Sequence, residues 1–181
     1  MLGEFPAQKG SWEAELDLRK ETKDDWWEVE ALFDHCFAPG REALSSYRLR
    51  DDVAPISELC LVARDALGIL GAAIRYWEVV IGSEPALLLG PVAVHPTMQG
   101  EGLGGLLMNE SLRQAKADGW TRVMLIGDFP YYRRFGFSKL ENITMPPPTN
   151  PDRVLGRALV YGAWEGVTGD VKKRSVSIVN P

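Results

Sequence analysis

The chemistry in this sequence is concentrated between Pro91 and Gly105, PVAVHPTMQGEGLGG. An apolar stretch runs into a turn holding Gly100, Gly102, Gly104 and Gly105, and helical periodicity follows. Glycine lets a backbone approach a ligand closely. The first N–H groups of a helix have no partner inside it, and the helix dipole adds to their pull on an anion. Such a turn holds a phosphate or pyrophosphate on main-chain amides, with no cationic side chain required. Gly100-x-Gly102-x-x-Gly105 also satisfies the G-x-G-x-x-G pattern of dinucleotide-binding folds. That fold wants the motif after the first strand of a βαβ repeat and an acid at the end of the second. Asp128 offers such an acid, but several antiparallel-looking strands come first here, so the context disfavours this reading.

Positioning the turn requires a buried strand before it and a packed helix after it. Ala86 to Val94 (ALLLGPVAV) is apolar on consecutive positions, as a strand covered on both faces should be. Gly90-Pro91 interrupts it, and a proline has no N–H for the ladder, so a bulge is expected there. From about Gly102 to Ala117 the apolar residues fall in two stripes: Met108, Leu112 and Ala115, and Leu103, Leu106 and Leu107. They predict a helix buried on two sides and ended by Asp118-Gly119.

The remaining elements surround this unit. Glu13 to Glu21 alternates as a half-buried strand. Thr22 to Asp25 resembles a capping box. Behind it Trp26, Val29, Phe33, Cys36 and Phe37 recur at helical spacing, giving a helix of about 12 residues that Pro39-Gly40 stops. Arg41 to Pro55 reads as a short helix and a loop. Leu59 to Arg64 and Ile69 to Val80 read as an antiparallel hairpin about a turn at Asp65 to Gly68. Thr121 to Ile126 is a buried strand, Phe129 to Arg134 a short helix, Gly136 to Leu140 a short strand and Val154 to Tyr161 the last strand. The expectation is one α+β (mixed α/β) domain over 13–165, with tails at 1–12 and 166–181.

Composition bounds the function. The chain has 181 residues and a net charge of −5, with 45% hydrophobic and 25% charged residues, which suits one well-buried domain. An acidic balance argues against nucleic acid as a partner. Cys36 and Cys60 are too few for a disulfide scaffold and read as free thiols of a reducing compartment. No metal is expected, because the two histidines and two cysteines lack ligand spacing. No secretory leader is evident, and the apolar stretch at 86–94 falls short of the ~18 residues a membrane span needs. A cytoplasmic protein with no membrane association follows as the expectation.

The same turn also reads as Gln99-x-x-Gly102-x-Gly104, following the strand end V-A-V-H-P. Tyr131-Tyr132-Arg-Arg-Phe-Gly136-Phe137 comes later in the chain. Together these two motifs resemble the acyl-CoA loop and the later Y-x-x-x-G-F segment of the GCN5-related N-acetyltransferases. The order of elements from about Glu13 to about Tyr161 is similar too. The resemblance implies a mostly antiparallel sheet, splayed at the cofactor strand, and acetyl-CoA as co-substrate. It implies that Val92, Ala93 and Val94 bind the pantetheine arm through their backbone. It implies that the amides of Gln99, Gly100, Glu101, Gly102, Leu103, Gly104 and Gly105 hold the pyrophosphate, with Tyr131 lining the cofactor. Tyr132 would be the general acid that protonates the departing thiolate, and its ordinary pKa of about 10 keeps it protonated at neutral pH. The implied reaction is direct attack of an amine on the thioester. A non-catalytic acyl-CoA-binding protein is the alternative. The acceptor, a small-molecule or protein amine, is expected between about Phe33 to Ile56 and Met145 to Trp164, where no motif is legible. A homodimer is an open option.

Other residues carry bland readings. His95 reads as structural or solvent-exposed, His35 as non-functional and Glu78 as a solvated edge carboxylate rather than a base. Arg133 and Arg134 suit a CoA phosphate and a plain surface equally well.

Overall fold

The computed structural model describes residues 16–37 and 40–174. The expected N-terminal tail, the start of the first strand and the stop at Pro39 lie outside these residues.

A nine-stranded sheet forms the centre. Its strands are β1 (Asp17–Lys20), β2 (Leu61–Arg64), β3 (Leu70–Ile81), β4 (Glu84–Val94), β5 (Arg122–Ile126), β6 (Ser138–Lys139), β7 (Ile143–Thr144), β8 (Val154–Ala158) and β9 (Gly169–Lys173). The main path runs β1-β2-β3-β4-β5-β8-β6. Every pair along it is antiparallel except β4 with β5. The helices are α1 (Trp26–Phe37), α2 (Ser45–Arg48), α3 (Leu103–Ala117) and α4 (Phe129–Tyr132).

Two helices cover opposite faces of the sheet. Alternation along β3 sends Ala72, Ile74 and Tyr76 to the α3 side and Ala73 to the α1 side. On α3, Leu103, Leu107, Met108, Leu112 and Ala115 pack against β3 and the inward residues of β2, β4 and β5. Each fully buried leucine there contributes about 2 kcal/mol. Leu106 is 39% exposed, so α3 is buried on one broad face rather than on two sides. Leu103, Leu107 and Leu112 with Met108 form that face, and Leu106 falls beyond its edge. Within this core the Tyr76 hydroxyl meets Ser111 Oγ at 2.8 Å, which satisfies both buried groups. On the other face, Val29, Leu32 and Phe33 of α1 pack on Val62, Leu70, Ala73 and Ala93. Trp26 and Phe37, at the two ends of the predicted stripe, are about 40% exposed.

An ion-pair cluster ties the start of α1 to the sheet edge. Asp25, 2% exposed, accepts from Arg19 at 2.7 and 2.8 Å, from Arg64 at 2.7 Å and from the Thr22 N–H at 2.8 Å. The Arg19 guanidinium, first among these donors, holds the Asp25 carboxyl well below the usual carboxylate range.

Two expectations about the C-terminal part need correction. The last strand is not the one at Val154, which ends at Ala158 and leaves Tyr161 97% exposed. Residues beyond 166 are also not all tail. Gly169–Lys173 forms β9, antiparallel to the end of β3 and parallel to β7. Its sequence, GDVKK, holds one apolar residue, Val171, so alternation gives no signal. Backbone pairing with Val79, Val80 and Ile81 makes it a strand.

Candidate active site

The parallel pair β4–β5 holds for only two residue pairs, Leu87 with Val123 and Leu88 with Met124. Immediately beyond, the β3–β4 register steps. Tyr76 faces Leu89, then Ile74 faces Val92, so Gly90 and Pro91 lie opposite Arg75 alone. Gly90 takes a φ of 127°, which a side chain would disfavour, and Pro91 donates no ladder bond. β4 therefore parts from β5, and the two strands form an open V. The His95 N–H donates to the Gly71 carbonyl at 2.8 Å. By ladder alternation the main-chain groups of Val92 and Val94 then point away from β3, toward the open side. Val92 and Val94 side chains line a groove there, while Ala93 packs beneath α1.

The glycine turn forms the floor of that groove. Gly100 and Gly102 have φ of 87° and 86°. Gln99 Nε2 donates to the Val94 carbonyl at 3.2 Å, tying the turn to the strand end. The first backbone bond of α3 runs from the Leu106 N–H to the Gly102 carbonyl at 3.0 Å, so the N–H groups of Leu103, Gly104 and Gly105 have no partner within the helix. A Cβ on Gly104 would lie 3.3 Å from the Tyr131 hydroxyl and 3.4 Å from Val94 Cγ2, so glycine keeps this part of the groove open. The groove has a volume of about 510 Å³. Of the predicted cofactor residues, Val92, Val94, Gln99, Gly100, Leu103, Gly102, Gly104, Gly105 and Tyr131 line it. Ala93 and Glu101 do not, and Glu101 is exposed.

Two further groove residues, Met98 and Arg134, were not singled out by the motif. The Arg134 guanidinium lies 4.2 Å from the Tyr131 ring and 4.7 Å from Phe135. Its position follows from the turn of α4, two residues past Tyr132.

Tyr132 stands where β4 and β5 part. The ring meets Tyr131 edge-on at 4.9 Å and Phe137 at 6.1 Å. A Cβ on Gly127 would fall 2.3 Å from Tyr132 Cε2, so the glycine after β5 makes room for the ring. The sequence signal for Gly127 is its place between a buried strand and the tyrosine helix, but neither motif includes it. Burial, then the neighbouring Tyr131 and Asp128, pushes the Tyr132 phenol up to about 12.

On the other side of Tyr132 lies a smaller chamber of about 110 Å³. Phe37, Leu44, Ser46, Tyr47 and Arg50 line it from the early segments, and Leu125 and Ile126 from β5. Val92 and Tyr132 line both cavities. The early half of the expected acceptor region therefore contributes, whereas 145–164 does not line this chamber. Arg50 is clamped between the rings of Tyr47 at 4.2 Å and Trp77 at 4.7 Å.

The remaining candidates lie elsewhere. His95 Nδ1 meets Thr97 Oγ1 at 2.7 Å, and its ring stacks on His35 at 5.6 Å over the α1 face. Glu78 pairs with Arg174 and lines neither cavity. Cys60 is buried, its thiol pushed up to about 12 by burial. Cys36 is half-buried, with Sγ 3.5 Å from the Val94 carbonyl. Among the described residues no group of three or more His, Cys, Asp or Glu could hold a metal ion, and no helix is long and apolar enough to cross a membrane.

Comparison with known proteins places this fold in a family. Residues 17–140 match the family model of the acetyltransferase (GNAT) domain. The N-acetyltransferase YhbS of Escherichia coli (strain K12) is 31% identical over 159 residues, which span 86% of this chain and 94% of that protein. The solved structure of Escherichia coli YhbS in complex with CoA superposes with a TM-score of 0.78 at 26% identity, covering 92% of this chain and 93% of that one. A GNAT family acetyltransferase from Brucella melitensis in complex with acetyl-CoA gives 0.64 at 30% identity, covering 88% and 96%.

Proposed function

The chain belongs to the GNAT family of acetyltransferases, and from that premise we propose that it moves an acetyl group from acetyl-CoA to an amine held in the chamber beside Tyr132. The observation that carries this reading is the meeting of two cavities at Val92 and Tyr132, one built from free amides and one from side chains.

The groove fits acetyl-CoA by its own features. The unpartnered N–H groups of Leu103 to Gly105 suit the pyrophosphate, and Gly104 leaves room that a side chain would fill. The Val92 carbonyl and the Val94 N–H, which point away from β3, suit the amides of the pantetheine arm, which would lie along β4 as an added strand. Gln99 holds the turn in register through its bond to Val94. Arg134 extends beside the groove as a partner for a further phosphate.

Catalysis then follows from placement. The neutral amine nitrogen bonds to the thioester carbon, the C–S bond breaks, the sulfur takes a proton as it leaves, and the nitrogen gives up its extra proton to water. The products are an amide and free CoA. The Val92 N–H, at the junction with Tyr132, polarises the carbonyl where negative charge develops. Tyr132 donates the proton to sulfur and is restored from solvent. Its raised pKa keeps the phenol neutral through the working range, so the donor is always loaded. Much of the acceleration comes from holding two substrates in line across one cleft.

The test is release of CoA thiol from acetyl-CoA over a panel of amines. Amine-dependent release is expected, slowed at least about tenfold by Tyr132→Phe with acetyl-CoA affinity held within about twofold. Tight acetyl-CoA binding with no amine-dependent release would mark a binding module instead. A Tyr132→Phe variant as fast as the parent would remove Tyr132 from the acid role.

A further inference from the structure

The acceptor chamber contains a cation with no counter-charge. Nε and Nη1 of Arg50 are shut off from solvent and have no hydrogen-bond partner. The buried arginines among the described residues, Arg41, Arg75 and Arg122, are all paired. Arg41 donates to Asp34 at 2.7 Å and to Glu30, Arg75 to Glu21 at 2.6 and 2.8 Å and to Glu30, and Arg122 to Glu84 at 2.7 Å. Leaving a buried guanidinium without an acceptor is costly, so the exception calls for an explanation.

Arg50 is also held in a fixed plane. Tyr47 and Trp77 sandwich it, and the Trp77 indole is anchored by its N–H to the Val53 carbonyl at 3.1 Å. Nη2 reaches the kink of β4, 3.5 Å from where a Cβ on Gly90 would stand. Arg50 lines the chamber together with Val92 and Tyr132, its Nη2 against the β4 kink. Burial first, and the neighbouring Arg41 and Arg75 cations after it, lower the Arg50 pKa to about 10, and an arriving anion would relieve both. The chamber is otherwise lined by apolar groups and the hydroxyls of Ser46, Tyr47 and Tyr132, with no carboxylate to compete.

We propose that Arg50 receives a carboxylate carried by the acceptor itself, so that the substrate is a small amine bearing a carboxylate a few bonds from its nitrogen. A charge-assisted hydrogen bond from Arg50 to that carboxylate orients the acceptor as well as binding it. The small volume of the chamber favours such a molecule over the side chain of a folded protein. This assignment rests on the acetyl-transfer reading above and names the acceptor class for the same cleft.

The experiment compares α-, β- and γ-amino carboxylates with their carboxamides, following CoA thiol release. The parent protein is expected to prefer at least one carboxylate over its carboxamide by about 100-fold or more in kcat/KM. Arg50→Gln should collapse that ratio to below about fivefold, and Arg50→Lys should fall between. Acetyl-CoA affinity within about twofold of the parent in both variants shows that they are folded. A parent ratio near one, or a preference for carboxamides, overturns the proposal, as does a ratio that survives Arg50→Gln. If no amine is turned over, the acetyl-transfer reading fails by itself, and calorimetry of N-acetylated amino carboxylates on the CoA-loaded protein decides the Arg50 assignment. Binding lost in Arg50→Gln supports it, and absent or unaltered binding overturns it.

Discussion

The groove above α3 is floored largely by main chain, whereas the chamber across Tyr132 is lined by side chains from separate stretches of the chain. The groove offers amides whose direction is set by a helix start and by two glycines at positive φ. Its selectivity is for a shape common to every acyl-CoA, so few side chains matter. The chamber offers Arg50, Tyr47 and Ser46 among apolar side chains such as Phe37, Leu44, Leu125 and Ile126, and exchanging any of them would alter what fits. One arm is generic and local, the other particular and assembled. Tyr132 and Val92, shared by both, are where the two meet.

Blocking the generic arm should have the largest effect. Gly104→Val places methyl groups where a Cβ already approaches Tyr131 and Val94 closely. It should weaken acetyl-CoA binding by about 100-fold or more in calorimetry. If affinity survives, the amides at the start of α3 are not the pyrophosphate site. Gly127→Ala attacks the junction instead, because its Cβ would overlap the Tyr132 ring. Turnover should drop about 30-fold and stability by about 1–3 kcal/mol, with acetyl-CoA affinity changed far less. An equal loss of affinity would mean that the junction and the groove are not separable.

A smaller effect is expected of Gln99→Ala. The bond it loses is single and exposed, so the acetyl-CoA Kd should rise only about threefold. The pH profile should show the least. Tyr132 is functional as the neutral phenol, and its pKa of about 12 means this form is lost only as pH rises through that value. The rate should therefore rise with pH as the acceptor amine loses its proton and show no fall between about pH 7 and 10. A falling limb near pH 10 would mean that Tyr132 sits in ordinary solvent rather than at the closed junction.

The legibility of the two arms differed for the same reason that their chemistry does. The groove was readable because strand, turn and helix are contiguous from Ala86 to Ala117, and glycine spacing reports backbone geometry directly. Even there the reading was of segments rather than side chains. Ala93 and Glu101 were named for their backbone groups, and their side chains lie away from the groove, Ala93 under α1 and Glu101 in solvent. Arg134 was named in the sequence but could not be separated from Arg133, because two adjacent residues at a helix end look alike until the helix is placed. No motif marked the chamber, and only the family resemblance pointed to the stretch from Phe33 to Ile56 that supplies Phe37, Leu44, Ser46, Tyr47 and Arg50. Arg50 sits in a polar stretch between two short helices, and only folding brings Trp77 and Gly90 against it. β9 was missed because its pairing is made by backbone, which a sequence of charged residues around one valine does not advertise.

The sequence by itself determined the order of the elements from β1 to β8 other than β7, the kink at Gly90-Pro91 and the anion-binding turn, because each is a property of neighbouring residues and their backbone freedom. Only the tertiary structure decided that β4 leaves β5 after Leu88, that Tyr132 lines both cavities, and that Arg50, with Nε and Nη1 unpartnered, lines the smaller one. Those are facts about distant residues brought together. Desolvation and charge pairing depend on which groups share a cavity, not on which groups are neighbours in the chain.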